Sequence, residues 1–103
     1  MGVRLRFSRQ TLAVLEALLV HPADWQHGYS LSRRTGISSG TLYPILMRLE
    51  RLAWLETHWE EVKTPGRPPR HLYRLSGTAR EWAREELRAA ERKQFWKPAA
   101  EEV

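Results

Sequence analysis

The stretch that decides the fold is "YSLSRRTGISSGTLYPILMRLERL", residues 29–52. Its first part has the pattern of a short helix, which Gly36 ends in the usual C-terminal glycine position. Ser38 is a favourable N-cap for a second, longer helix over residues 38–52. Leucine and isoleucine recur along that helix at spacings of three and four, so one of its faces is buried. Two helices joined by a tight glycine-containing turn predict a helix-turn-helix.

Another helix and a hairpin flank this motif. Ser8 is a good N-cap for a helix over residues 9–20, and "ADWQHG" behind it is predicted to be a connector. Residues 55–62 and the later "HLYRLS" stretch have a period nearer two, which predicts two strands. The basic "KTPGRPPR" loop between them has three prolines and a glycine and completes a hairpin called a wing. Ser76 or Thr78 then caps a last helix that runs to about residue 95.

Length and composition exclude several classes of protein. The chain has 103 residues, the size of one domain and too short for the doubly wound sheet of a hydrolase. It contains no cysteine, so neither disulfides nor thiolate zinc ligands are available. No membrane span is predicted, because the longest apolar run, residues 11–20, is too short and contains Glu16. A cytoplasmic protein is therefore expected.

Basic residues are concentrated in two windows that contain no acid. The net charge is +5, and residues 25–49 and 62–80 together hold eight of the 17 Lys and Arg residues and none of the 12 Asp and Glu residues. If both windows lie on one face, that face suits a phosphate backbone or an acidic partner. A solvated basic surface is the alternative.

Small polar residues open the second helix of the motif. The first residues of a recognition helix reach base edges, so Ser39 and Thr41 are predicted to contact bases or phosphates, and Gly40 to allow close approach. The Ser38 side chain is predicted to accept a bond from a first-turn N–H, beside a phosphate at the helix N-terminus. An ordinary polar helix start is the alternative.

Further DNA contacts are predicted on the outer surface of that helix and in the wing. Tyr43 is assigned as a phosphate donor and Arg48 as a clamp on the DNA backbone. Lys63, Arg67 and Arg70 lie on a loop that prolines stiffen, so they lose little chain entropy on meeting DNA. Arginine at a hairpin tip suits the minor groove, although a merely solvated loop would also be basic.

Catalysis and metal binding find little support. Gly36, Ser38 and Gly40 match the G-x-S-x-G pattern of serine hydrolases. That pattern needs an apolar strand before its turn, whereas helical and basic residues precede this one, and no aspartate follows it. The four histidines have no metal-binding spacing. We therefore predict no catalytic residue, no metal and no cofactor.

Both terminal helices carry more apolar surface than the central motif needs. Trp54 and Trp59 are assigned to the core behind the sheet. The stripe on the last helix can pack on the first helix of the same chain, but a partner chain is the better fit. The predicted dimer interface comprises Leu12, Leu15, Leu19, Ala79, Trp82, Ala83, Leu87 and Ala90.

Three stretches, "LLVHPADWQHGY", "GISSGTLYPILMRLE" and "GRPPRHLYRLS", carry a family resemblance. The phrase G-T-L-Y-P-x-L-x-R-L-E followed by a G-R-P-x-R wing is specific, and through it the sequence resembles the PadR family of bacterial transcriptional regulators. The resemblance implies a dimeric winged helix-turn-helix repressor whose final helix crosses to the partner subunit. It also implies that Ser39, Gly40, Thr41 and Tyr43 belong to the DNA-reading helix and that Arg67 is the wing arginine.

Some positions depart from the family pattern. Ser30 stands where an acidic residue is common, and the loop bearing Trp25 is longer. Ala53 stands where a helix-ending glycine is usual. An alanine in a left-handed cap would cost about 1 kcal/mol, so we expect that helix to end differently. None of these changes touches the reading helix, but they leave the response to an effector open.

The sequence as a whole predicts a mainly α (α+β) fold, a winged helix-turn-helix with three N-terminal helices, a two-stranded wing and a C-terminal dimerisation helix. Its predicted parts are a DNA-binding domain over residues 1–75, the dimerisation helix over 76–97 and a flexible tail over 98–103.

The predicted function is that of a homodimeric, nucleoid-associated repressor of an inverted-repeat operator. Helix 38–52 lies in the major groove of double-stranded DNA and wing 63–71 in or near the minor groove. A small hydrophobic effector lodged between the subunits relieves repression. The alternative is a winged-helix module that binds another protein.

Overall fold

The computed structural model describes residues 7–98. Most of the predicted tail, residues 99–103, lies outside the described residues. Four helices and three strands follow one another: α1 (Arg9–Val20), β1 (Gln26–His27), α2 (Gly28–Thr35), α3 (Ser39–Arg51), β2 (Leu55–Trp59), β3 (His71–Leu75) and α4 (Gly77–Arg92). The predicted mainly α winged helix-turn-helix is confirmed.

The sheet has one strand more than the sequence predicted. Its antiparallel order is β1-β3-β2, with Gln26 opposite Tyr73 and His27 opposite Leu72. The prediction that "ADWQHG" is a plain connector was wrong, because a strand of two residues is too short to produce a periodic signal. The buried Gln26 side chain donates from Nε2 to the Ala17 carbonyl at 3.2 Å, which ties this strand to α1.

Most helices begin and end near the residues that the sequence predicted, because capping side chains and left-handed residues fix these ends. Ser8 caps α1 by accepting the Thr11 N–H at 3.1 Å, and Gly36 ends α2 with a φ of 74°. Ser76, not Thr78, caps α4. That helix ends at Arg92, slightly before the predicted end.

The start of α3 departs from prediction. Ser38 has the extended backbone of an N-cap, but its side chain makes no capping hydrogen bond. The first-turn N–H of Thr41 bonds the Ser38 backbone carbonyl at 3.1 Å instead, as does that of Leu42 at 2.8 Å. Because the backbone carbonyl already occupies these donors, the predicted cap by the Ser38 hydroxyl was wrong.

The end of α3 also corrects an expectation. Ala53 does take a left-handed conformation, with a φ of 62°. Its N–H bonds the Glu50 carbonyl at 2.9 Å, and the next N–H, of Trp54, bonds the Leu49 carbonyl at 3.0 Å. These two bonds form a Schellman motif. Trp54 is buried against Phe7, with ring centroids 5.2 Å apart, so tertiary packing holds the alanine in its strained position.

The core lies between α1, α2, α3, the inner face of the sheet and α4. Four residues assigned to a dimer interface, Leu12, Leu15, Ala79 and Ala83, are buried in this core and pack within one chain. Leu19, Leu87 and Ala90 are partly buried against it. Trp82 is 47% exposed and lies over Trp54, with ring centroids 5.6 Å apart.

Candidate nucleic-acid interface

The first turn of α3 presents small polar groups at the surface. Ser38, Ser39 and Gly40 are exposed, Thr41 is half-buried, and no acidic residue lies in this turn. Pro44, which has no N–H, follows one turn later and leaves the Gly40 carbonyl without its usual helical donor. This end of the helix therefore offers both hydroxyl groups and a backbone acceptor to a partner.

Tyr43 projects from α3 onto the beginning of α2. Its ring lies so close to Gly28 that a Cβ built there would be 2.5 Å from the phenol oxygen and 2.9 Å from Cζ. Gly28 thus permits this close approach, and the Tyr43 ring lies against the start of α2. Tyr43 nevertheless remains 43% exposed.

A second phenol, that of Tyr73, is buried on β3. Burial raises the pKa of Tyr73, and the charges of Tyr43 and Glu50 raise it further. The Tyr73 hydroxyl is 3.2 Å from His71 Nδ1. The Tyr43 ring thus packs against α2 and also influences the pKa of Tyr73 on β3.

The wing carries its cations on a wholly exposed loop, residues 63–70. Gly66 turns this loop with a φ of 87°, and the Glu60 N–H bonds the Arg70 carbonyl at 2.7 Å, which extends the hairpin ladder. The Glu60 carboxylate forms an ion pair with Arg67 and lies 3.9 Å from Arg70 Nε. Lys63 is exposed on the same loop.

Glu60 is a residue of this surface that sequence reasoning missed. It lies two positions before the acid-free window that begins at residue 62, yet the hairpin folds it back onto Arg67 and Arg70. Linear charge counting does not detect such a contact, because it ignores pairing across the two strands.

His27 is a second missed residue. Its Nδ1 accepts the Ser30 N–H at 3.2 Å and thereby caps α2. Its Nε2 lies 3.0 Å from Arg70 Nη1, so the base of the wing contacts the start of α2. The sequence contained no signal for this pair, which is separated by 43 residues.

Arg48 is exposed on α3, whereas Trp59 does not lie in the core to which it was assigned. The Arg48 guanidinium is over the Phe7 ring, 5.2 Å from its centroid, whereas Tyr43 lies against α2. Trp59 was assigned to the core, but it is 60% exposed and stacks on His71 at 4.6 Å. The core prediction for Trp59 was wrong, because the hairpin extends beyond the helices that cover its base.

A cavity of about 440 Å³ lies away from the wing, between α1, the end of α2 and the segment after α4. Apolar side chains of Ala13, Ala17 and Val20 line it, together with Arg34 and Trp96. Residues 7–98 contain no group of three or more His, Asp or Glu side chains that could hold a metal ion. Within the same range, no helix is long and apolar enough to cross a membrane.

Comparison with known proteins identifies relatives of this arrangement. The profile of the transcriptional regulator PadR-like family matches residues 18–85. A PadR-like transcription factor from Bacteroides fragilis is 24% identical, with a TM-score of 0.63 over 84% of this chain and 85% of that one. Pex from Synechococcus is 27% identical, with a TM-score of 0.59 over 82% of this chain and 81% of Pex.

A third similar structure contains a ligand. The PcaV transcriptional regulator from Streptomyces coelicolor, in complex with its natural ligand, is 26% identical, with a TM-score of 0.66. The match covers 89% of this chain and 62% of PcaV. No curated protein sequence matches this chain significantly.

Proposed function

This chain belongs to the PadR-like family of transcriptional regulators, and from that membership we propose that it is a homodimeric repressor that binds double-stranded DNA at an inverted-repeat operator. One observation carries the DNA-binding proposal: Tyr43 of α3 lies against Gly28, and the adjacent His27 contacts Arg70 of the wing. The reading helix, the start of α2 and the wing thus share one continuous surface.

The first turn of α3 supplies the base contacts in this proposal. Ser39 and Thr41 donate to or accept from base edges in the major groove, and Gly40 lets the backbone approach closely. The exposed Ser38 hydroxyl makes no capping bond, so it is available to a phosphate oxygen. Tyr43 donates its phenol proton to a second phosphate.

The wing supplies the electrostatic part of binding. Lys63, Arg67 and Arg70 enter or flank the minor groove, where the negative potential attracts arginine. On binding, Arg67 leaves its ion pair with Glu60 and pairs with a phosphate. Losing the first pair costs little, because exposed ion pairs contribute about 0–1 kcal/mol. Arg48, at the Phe7 side of α3, contacts the DNA backbone outside the groove.

The dimer interface that we propose uses the exposed part of the terminal helices. The Trp82 ring provides its anchor, since large aromatic rings dominate interface energetics. The partly buried Leu19, Leu87 and Ala90 surround it. The fully buried residues of α1 and α4 support this surface from within the chain.

A small hydrophobic effector, expected between the subunits, has a candidate site within one chain instead, in the cavity beside Trp96. Ala13, Ala17 and Val20 of α1 accept a hydrophobic body beside Glu16 of the same helix. Arg34 lies at the end of α2, directly before the turn to the reading helix. A ligand there changes the position of α2 relative to α1 and so the spacing of the reading helices. The proposed repressor acts in the cytoplasm, at the nucleoid, and uses no catalytic residue.

The proposal is tested by fluorescence anisotropy with a duplex from upstream of the protein's own gene and a scrambled duplex, at low and near-physiological salt. We expect the first duplex alone to remain bound at the higher salt. Thr41→Val should abolish this preference, whereas Thr78→Val, a matched change at an exposed position of α4, should leave it intact. Equal binding that disappears with salt contradicts sequence specificity for this duplex. No binding at either salt favours the protein-interaction alternative.

A further inference from the structure

The imidazole of His27 faces a hydrogen-bond donor at each of its two nitrogens. The backbone N–H of Ser30 points at Nδ1 over 3.2 Å, and Arg70 Nη1 lies 3.0 Å from Nε2. A backbone amide and a guanidinium can only donate. Each ring nitrogen would therefore have to accept a hydrogen bond.

A neutral imidazole cannot meet both demands. It carries one N–H and one lone pair, and the imidazolium carries two N–H groups and no lone pair. If Nδ1 accepts from Ser30, Nε2 holds a proton that points at Arg70, and the Ser30 hydroxyl 3.4 Å away gives that proton only a long acceptor. If Nε2 accepts from Arg70, the cap of α2 is lost, although the Ser30 hydroxyl at 3.3 Å can then accept from Nδ1.

An oxyanion between Arg70 and Nε2 removes this conflict. Its oxygens accept from the guanidinium and from Nε2–H, while Nδ1 continues to accept from Ser30. Arg70 already has a carboxylate nearby, since Glu60 lies 3.9 Å from its Nε, and its side chain is 45% exposed. The pair is therefore accessible to an oxyanion from outside.

We propose that His27 and Arg70 together bind one phosphate of the DNA backbone and so clamp the wing to the start of α2. This inference rests on the proposed DNA binding, and it adds His27 as a contact residue and Glu60 as the group that the phosphate displaces. The phosphate lies beside the Tyr43–Gly28 contact, because Gly28 directly follows His27. One clamp thus fixes the position of the wing relative to the reading helix.

The test compares His27→Asn, Arg70→Gln, the double variant and the control His58→Asn on the bound duplex across a range of salt concentrations. Asparagine is a good N-cap, so His27→Asn keeps the cap of α2 and removes Nε2. His58 is an exposed histidine of β2, which lies on the other side of β3 from β1, and its ring lies near Trp25. Thermal unfolding verifies that all variants fold.

Replacing the two residues should change DNA affinity and its salt dependence in different ways. Arg70→Gln should reduce the slope of log K against log salt by about 0.9, the value for one phosphate contact. His27→Asn should weaken binding about tenfold at every salt concentration without changing the slope, because a neutral imidazole releases no counterion. The double variant should lose less than the product of the two single losses, since the clamp acts as a unit.

The nitrogen shifts of the His27 ring provide an independent readout. On DNA binding they should report a proton on Nε2 and an unprotonated Nδ1. A folded His27→Asn variant that binds like the wild type, or fully independent effects in the double variant, would overturn the clamp while DNA binding stands. A wild-type protein that binds no duplex would refute the proposed function itself, and the clamp with it.

Discussion

The phenol oxygen of Tyr43 would lie 2.5 Å from a Cβ at residue 28, so α3 and α2 are in contact at a point where an added side chain must displace the Tyr43 ring. Gly28→Ala should therefore displace the Tyr43 ring. We expect a loss of less than about 1 kcal/mol in the free energy of unfolding, because the atoms that must move are the far end of a side chain that is 43% exposed. DNA affinity should fall as well, because the displaced phenol no longer reaches its phosphate.

Gly77→Ala is the matched control for this change. Gly77 also begins a helix, but nothing lies within 4 Å of a Cβ built there. Alanine should preserve or slightly raise stability at that position. Chemical denaturation and anisotropy measure both effects, and equal behaviour of the two variants would contradict a tight contact at Gly28.

The left-handed conformation of Ala53 predicts that glycine at this position would stabilise the protein. A left-handed alanine costs about 1 kcal/mol, and glycine has no such penalty. Ala53→Gly should therefore raise the free energy of unfolding by up to about 1 kcal/mol without moving the Schellman bonds. Ala13→Gly, inside α1, should lower it by a similar amount. A destabilising Ala53→Gly would mean that residue 53 is not left-handed in solution.

The sequence predicted the elements whose signals are local. The leucine spacing of α3, the glycine after α2 and the serine cap of α1 depend on near neighbours, and all three were found in the structure. The two-residue strand at Gln26 was missed, because its only signal is its pairing with β3.

The candidate site shows the same division between local and distant signals. The polar start of α3 and the basic wing are visible in the sequence, whereas Glu60 and His27 acquire their roles from tertiary contacts. Ser38 and Ala53 were misjudged for a related reason. The backbone hydrogen bonds of the first turn decide the role of Ser38, and packing outside the motif decides the conformation of Ala53. A sequence pattern contains neither kind of information.

Glu60 should weaken DNA binding by holding the wing arginines. Glu60→Gln frees Arg67 and Arg70, so affinity at low salt should rise several-fold. The melting temperature should hardly change, because exposed ion pairs contribute about 0–1 kcal/mol. Glu61→Gln removes the same charge from the next residue and should increase affinity less. Equal gains in the two variants would show that only net charge matters.

The raised pKa of Tyr73 predicts an alkaline loss of stability. Burial, together with Tyr43 and Glu50, favours the neutral phenol in the folded protein. The unfolded chain releases this proton near pH 10, so the stabilisation is complete below about that pH. It is then lost as the pH rises through the higher folded pKa.

Tyr73→Phe should make unfolding less sensitive to pH above about 10, since phenylalanine has no proton to release. At neutral pH it should cost about 1 kcal/mol, because the bond to His71 is lost. Urea titrations from pH 8 to 11 measure both quantities, with Tyr29→Phe as the exposed control. An unchanged alkaline slope in Tyr73→Phe would mean that another group is responsible.

Trp82 should decide the oligomeric state of the protein. Its ring is 47% exposed above the buried Trp54, so the folded monomer leaves a large aromatic surface in water. Trp82→Ala should shift the protein from dimer to monomer in analytical ultracentrifugation and weaken operator binding, because two linked half-sites become independent. Trp59→Ala removes an even more exposed ring at the wing and should leave the dimer intact. A dimer that survives Trp82→Ala would place the interface elsewhere.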